Sequence, residues 1–407
     1  MFLANNFVFK DIESKRPFVL RHRNGVQRHI AILVNPISGK KLSCKYFESI
    51  LKPMLKSAAI EFTKFETTSP TFVDEWVQQL DPKSMRFTEF VMIGGDGILS
   101  QLLNAIGQHS KRDEIFKIPI GVLPGGSTNA TSWDLSGRDP YSASINCVRG
   151  HTIKADLLKV RLRQQKKTLF TSTITWGFVS DVVQESQEYR KWFGSCRYTA
   201  IGAKKFWWTC CLKEYVTDIY FKKPIVQKEG IVAYSESDGR KNTEHNNSIS
   251  QSDIIVQKNE QIDNYDFPDD YKSWERFEND NFAFMSIVTH ECRSSLTKDI
   301  LAPFARYTDN RMSIVTVSKT SKIGLLYFLT KIADGKHMQT KHFVWERASE
   351  AIIVPRSKSY FNVDGEIYDD DEAHVCTMPG FLNLMGKTHK LTEGEHEYAQ
   401  MLDKEVA

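Results

Sequence analysis

Phe90-Val91-Met92-Ile93-Gly94-Gly95-Asp96-Gly97-Ile98-Leu99-Ser100-Gln101-Leu102-Leu103 decides the fold. Apolar residues run into glycines wrapped around one aspartate, and an apolar pattern at helical spacing follows. That order reads as a buried strand, a tight turn and a helix. Glycines let a ligand approach the backbone without a Cβ in the way. The helix N-terminus behind them favours an anion such as phosphate. A carboxylate in a phosphate cradle repels its own ligand unless a metal ion or a proton transfer needs it there. Asp96 is therefore read as a general base or metal partner, with an ordinary Gly-Asp-Gly turn as the plainer alternative.

Upstream, His29-Ile30-Ala31-Ile32-Leu33-Val34-Asn35-Pro36-Ile37-Ser38-Gly39-Lys40 reads as a buried strand feeding a loop, with Asn35 at the strand's C-terminal end. Open α/β sheets bind ligands at that end. This is not a Walker loop, because Val34 stands where its first glycine is required. A helix over 46–58 and a strand over 61–66 follow. The strand ends in Thr67-Thr68-Ser69, whose hydroxyls suit a phosphate or a helix cap equally. Helices are expected over 73–80 and 98–107. A second glycine turn, Leu123-Pro124-Gly125-Gly126-Ser127-Thr128-Asn129, closes another strand with amides and hydroxyls in series, an anion nest or a cap. Two such turns, one β-α unit apart in a parallel sheet, line one crevice and point to a nucleotide site.

Beyond residue 150 the pattern turns to strands with few helices, at 153–162, 169–176, 282–289, 311–318, 344–354 and 359–363, and one helix over 323–332. The expected organisation is a basic, solvated leader (1–28), a nucleotide-binding α/β domain (29–152) and a mostly antiparallel β-domain (153–390). A polar insertion near 236–270 has little to bury and reads as disordered or as a long loop. A tail covers 391–407. The acidic run Asp369-Asp370-Asp371-Glu372 reads as a solvated hairpin tip. His290-Glu291-Cys292 has no metal-ligand spacing and reads as a strand end.

At 407 residues, 41% hydrophobic and 26% charged, the chain has room for two full cores and the composition of a soluble globular protein. A net charge of +4 does not call for nucleic acid. The cysteines are scattered and lack any CxxC pair, which suggests neither a disulfide framework nor a zinc site and fits a reducing setting. Asp11 and Glu13 argue against a mitochondrial leader. With no apolar run long enough to cross a bilayer, any membrane contact is expected to be peripheral. The expected location is cytoplasmic, at the surface of an intracellular or plasma membrane.

Val34-Asn35-Pro36, Gly94-Gly95-Asp96-Gly97, Pro124-Gly125-Gly126-Ser127-Thr128-Asn129 and Val363-Asp364-Gly365-Glu366, in this order, resemble the diacylglycerol-kinase-type catalytic domain. Trp176-Gly177-Phe178-Val179-Ser180-Asp181, then Glu185-Ser186, Tyr189-Arg190 and Gly194 to Tyr198, look like a segment of its sphingosine kinase and ceramide kinase branch. The resemblance implies a parallel, Rossmann-like α/β domain holding ATP and Mg²⁺ and a β-sandwich domain holding the lipid. Carried over residue by residue, it casts Asp96 as the catalytic base. Asn35, Thr67, Gly94, Gly95, Gly97, Gly126, Ser127 and Thr128 fall on the nucleotide, Arg190 and Arg197 on its phosphates, and Asp364 and Glu366 on the nucleotide and magnesium side. Asp181 and Glu185 fall on the substrate. One departure stands out: where sphingosine kinases carry a second carboxylate for the substrate's amine, this chain has Val183. A ceramide or diacylglycerol, with no ammonium to bury, suits valine better. The implied activity is phosphorylation of a sphingolipid's primary hydroxyl. Diacylglycerol kinase activity, a silent lipid-binding scaffold on the same fold and a soluble-metabolite kinase of the NAD kinase type are the alternatives. A homodimer is left open.

Overall fold

The computed structural model describes residues 21–137, 139–189, 197–208, 213–226, 232–233, 267–293, 301–333 and 336–386. The insertion expected near 236–270 lies almost wholly outside them, as do the first twenty residues of the leader and the tail over 391–407.

Four parallel strands, β1 (His29–Val34), β2 (Glu61–Glu66), β3 (Glu89–Gly94) and β4 (Ile120–Pro124), lie side by side in the order β2-β1-β3-β4. β1, β3 and β4 are buried along their whole length and are correspondingly apolar on both faces. The edge strand β2 carries charge at its exposed positions instead. Alternate residues go to opposite layers. Ile30, Ile32, Val91 and Ile93 meet Phe47, Leu51 and Leu55 from the helical run between β1 and β2. Ala31, Leu33, Phe90 and Met92 meet helices α1 (Phe72–Gln78) and α2 (Asp96–Gly107).

Past helices α3 (Ala130–Ser136) and α4 (Pro140–Arg149), the chain turns to antiparallel strands. These are β5 (Thr152–Leu162), β6 (Lys167–Thr171), β7 (Thr173–Gly177), β8 (Tyr215–Lys222), β9 (Asn281–Val288), β10 (Met312–Ser318), β11 (Phe343–Ala348), β12 (Glu350–Pro355), β13 (Phe361–Val363), β14 (Glu366–Tyr368) and β15 (Ala373–Met385). Strands β6-β5-β15-β12-β8 form one layer and β14-β13-β7-β9-β10-β11 the other. Their inner faces share one core, including Leu158, Val160, Ile174, Trp176, Met285, Ile314, Ile353 and Val375. Helices α5 (Phe178–Ser186), α6 (Arg197–Trp208) and α7 (Lys322–Ala333) complete this half. The long strand β15 pairs antiparallel with β5 and, at Leu384, parallel with Ile120 of β4. The two halves are therefore joined through one continuous sheet.

The stretches expected as single strands over 169–176 and 344–354 each divide into two. The breaks fall at Ser172 and Ser349, where the chain steps from one sandwich layer to the other. A one-residue step inside an apolar run leaves no mark on the pattern.

Two charged stretches expected to be solvated each have buried members. Arg28 is 2% exposed and its guanidinium meets Glu89 and the carbonyls of Cys147 and Val148. Of the acidic run, Asp370 and Glu372 are buried. Asp370 accepts the N–H groups of Gln164 and Gln165, both at 3.0 Å, and Glu372 pairs with Arg163, so the run closes the β5–β6 turn. Among the described residues, no helix is long and apolar enough to cross a membrane.

Candidate active site

All four parallel strands end on the same side, and their C-terminal loops build a floor made largely of backbone. Asn35 N–H bonds Ile93 O at 2.9 Å, Thr67 N–H bonds Val34 O at 3.0 Å, and Gly125 N–H bonds Gly94 O at 2.7 Å. The glycines are required by contact. A Cβ on Gly126 would stand 2.2 Å from Gly95 Cα, and one on Gly39, at φ +50°, would stand 2.7 Å from the Gly126 carbonyl carbon. Gly97 differs, since its Cβ would meet nothing within 4 Å. It faces open space at the start of α2. Asn129, at φ +56°, folds the second glycine loop back by bonding Gly126 N–H at 2.7 Å and Gly126 O at 3.0 Å. Ser127 is half-buried and Thr128 exposed in that loop.

Asp96 is the first residue of α2, with Gly95 as its cap. Its Oδ2 accepts Ala130 N–H at 3.0 Å and its Oδ1 accepts Thr131 N–H at 3.1 Å. The carboxylate is thus aimed by the opening amides of α3, and each oxygen keeps a further lone-pair site.

Across from it, Asp364 sits in the turn between β13 and β14 at φ +46°, a left-handed conformation that aspartate tolerates better than most residues. Its Oδ2 takes Ser172 N–H at 3.3 Å and its Oδ1 the Ser172 hydroxyl at 3.4 Å. Burial pushes the Asp364 carboxyl up to about 6; the charge of Asp96 adds to the rise, while the Thr171 hydroxyl, Ser172 N–H and His290 oppose it. The two carboxylates therefore feel one another across the junction of the two halves. Glu366 opens β14 and is exposed on the same hairpin.

The deepest part of the site was not anticipated. His290, 1% exposed, bonds Asp134 Oδ2 through Nδ1 at 2.5 Å and reaches the Ser172 hydroxyl through Nε2 at 3.3 Å. Its ring stacks on Tyr307 at 4.5 Å, and Tyr307 donates its hydroxyl to Thr131 Oγ1 at 3.2 Å. Burial lowers the His290 imidazole, but the bond to Asp134 and the charges of Asp96 and Asp364 outweigh it and leave the group raised. His290 does follow a strand, as its sequence suggests, yet its partner Asp134 lies far away in the chain. The usable signal was a histidine beside a glutamate just past an apolar strand.

The residues assigned to the substrate are built differently. Asp181, on α5, is buried and fully engaged: Lys213 at 2.9 Å and Tyr215 OH at 3.0 Å on Oδ2, Ser359 Oγ at 2.7 Å on Oδ1. Glu185 pairs with Lys204 at 2.7 Å and Lys205 at 2.8 Å. A narrow cleft beside Asp181 is lined by Phe178, Ala283 and Leu325, with Lys213 and Lys319 along it. Arg190 lies outside the described residues. Arg197 begins α6, and its side chain lies outside them too.

Residues 29–160 match the diacylglycerol kinase catalytic domain. Among curated proteins, sphingosine kinase 1 of Arabidopsis thaliana is 26% identical over 390 residues, covering 90% of this chain and 75% of its own length. Ceramide kinase of Mus musculus is 20% identical over 327 residues, covering 75% of this chain and 58% of its own length. Residues 29–160 thus carry the likeness to that catalytic domain, and the curated proteins similar to the chain as a whole include sphingosine and ceramide kinases. A solved diacylglycerol kinase from Bacillus anthracis str. Sterne superposes with a TM-score of 0.57 at 13% identity, covering 90% of this chain and 99% of that one. The fold of this chain, a parallel α/β half beside an antiparallel half, is thus the arrangement found there.

Proposed function

We propose that this chain is an ATP-dependent lipid kinase that phosphorylates the primary hydroxyl of a sphingolipid, a sphingoid base or a ceramide. The observation that carries the reading is the placement of Asp96: its carboxylate is oriented by two amides of α3, Gly97 beside it faces open space, and its charge reaches Asp364 of the other half. Phosphoryl transfer asks for in-line positioning and neutralised charge rather than covalent help. Asn35, Thr67, Ser127, Thr128 and the amides of the Gly94–Gly97 and Gly125–Gly126 turns would hold the nucleotide, with Arg190 and Arg197 on its phosphates. Asp96 and Asp364 are carboxylates within one another's field, a donor set that fits a divalent cation; Asp364 with Glu366 would hold Mg²⁺. When bound, that ion supplies positive charge to the phosphate oxygens. As the lipid oxygen bonds the γ-phosphorus and ADP leaves, Asp96 accepts the hydroxyl proton.

The Lys213–Asp181 pair bears on the substrate. An ammonium would have to displace a lysine to reach Asp181, so the pairing favours a head group with an uncharged nitrogen, in line with Val183. The cleft beside Tyr215, where Phe178, Phe282, Ala283 and Leu325 meet Lys213 and Lys319, is too small for a hydrocarbon chain and would have to widen to admit one. Ile323, Leu326 and Tyr327, exposed on α7 next to that cleft, give the chain an apolar face for peripheral contact with the membrane holding the substrate. The test is incubation with γ-labelled ATP, Mg²⁺ and detergent-dispersed sphingosine, ceramide and diacylglycerol, with NAD beside them. Label in a sphingolipid supports the reading. Label only in NAD, or none at all, ends it.

A further inference from the structure

Two arms leave the buried imidazole of His290, and each ends at a group that seats one of the two facing carboxylates. The first arm is the 2.5 Å bond from Nδ1 to Asp134 Oδ2. Cys292 N–H lies between the two, 3.2 Å from Asp134 Oδ2 and 3.0 Å from His290 Nδ1, and ties both ends of this arm to the backbone that follows His290. Asp134 stands on α3, the helix whose opening amides from Ala130 and Thr131 grip Asp96. Its other oxygen is buried without a hydrogen-bond partner, 3.8 Å from Arg293 Nε, so this side chain is held chiefly by His290 and Cys292.

The second arm runs from Nε2 to the Ser172 hydroxyl at 3.3 Å, and that hydroxyl lies 3.4 Å from Asp364 Oδ1. The sense of this arm follows the tautomer of His290. A proton on Nε2 makes the serine oxygen an acceptor and turns its own hydrogen toward Asp364. A bare Nε2 would take that hydrogen and leave Asp364 with only the Ser172 N–H. Ser172 owes its place to the step between β6 and β7, and Tyr307 stacked on the imidazole ties the ring to Thr131 of α3.

We propose that His290 is a positioning residue that sets the spacing of Asp96 and Asp364 across the domain junction, through Asp134 on one side and Ser172 on the other. It touches neither carboxylate. The proposal rests on the kinase reading for its consequence on turnover, but the geometry it asserts can be tested without turnover.

Ser172→Ala cuts the second arm alone. His290→Asn keeps a donor for Asp134 and cuts the same arm. Each is expected to lower turnover between about tenfold and a hundredfold, the scale of a misplaced catalytic group, with the lipid KM within twofold and unliganded melting unchanged for Ser172→Ala. The double variant should be no slower than the slower single, because both remove one arm. Independently of turnover, both should need more Mg²⁺ to reach half of the ADP-induced rise in melting temperature. Two variants with wild-type turnover, a double variant slowed by the product of the singles, or an unchanged Mg²⁺ requirement would each overturn the proposal. A wild-type protein that labels no lipid defeats the kinase reading instead, and the Mg²⁺ titration of the melting shift then decides on His290.

Discussion

Two charge clusters sit at opposite ends of the same parallel sheet. At the N-terminal ends of β1 and β3, Glu89 is met by Arg28 at 2.7 Å and by Arg23 at 2.5 Å, and Arg28 also donates to the carbonyls of Cys147 and Val148, which close α4. Cations at a helix C-terminus and on a buried carboxylate leave that cluster balanced. At the C-terminal ends, Asp96, Asp134 and Asp364 share the field of His290, and the Asp364 carboxyl is driven up toward neutral pH. The contrast teaches how to tell a structural network from a working one: in the first a carboxylate is met by cations, while in the second two carboxylates, Asp96 and Asp364, repel one another, a repulsion that a bound cation would relieve.

The comparison breaks or sharpens in stability first. Arg28→Met leaves Glu89 with Arg23 as its remaining cation and strips the Cys147 and Val148 carbonyls of their donor. It should cost about 3 kcal/mol in denaturant melts, the lower end for breaking a buried pair, with turnover per folded molecule unchanged. Asp364→Asn should act the other way. Its carboxyl is raised to about 6 in the folded protein, so the folded state holds that proton more tightly than the unfolded chain does. Stability from this group is therefore lost as pH rises from about 4 to about 6 and stays lost above. At pH 7 the variant should melt higher than wild type by the equivalent of about 2–3 kcal/mol, while its activity falls. Asp156, raised to about 8 by burial, adds a slope of its own, so the quantity to measure is the difference between wild type and variant across pH. Lower stability in Asp364→Asn at pH 7 would put both clusters in one class. The smallest effect on stability belongs to Gly97→Asp, whose side chain enters open space and should shift stability by no more than about 0.5 kcal/mol. Charge and bulk at the mouth should nevertheless abolish the ATP-induced rise in melting temperature.

The floor of the site was legible because its chemistry is local. Runs of apolar residues ending in Gly94-Gly95-Asp96-Gly97 and Gly125-Gly126 encode both the strand and the loop that follows it, and the strand over 61–66 falls where expected. The wall was not legible. Asp134, Ser172, His290 and Tyr307 are scattered along the chain, no local pattern marks Asp134, Ser172 or Tyr307, and only the strand step at Ser172 and the packing of α3 bring them to His290. Arg28 and Asp370 were misjudged for a related reason. A charge next to other charges looks solvated until a distant partner, Glu89 in one case and the amides of Gln164 and Gln165 in the other, is known.

The carboxylate at position 96 bears the central claim, and Asp96→Asn tests it most directly. Labelled phosphate transfer to the preferred lipid should fall by about 10²–10⁴-fold, the contribution of a positioned general base, while the ATP-induced melting shift stays near that of wild type. A variant that still phosphorylates lipid at the wild-type rate would contradict the account.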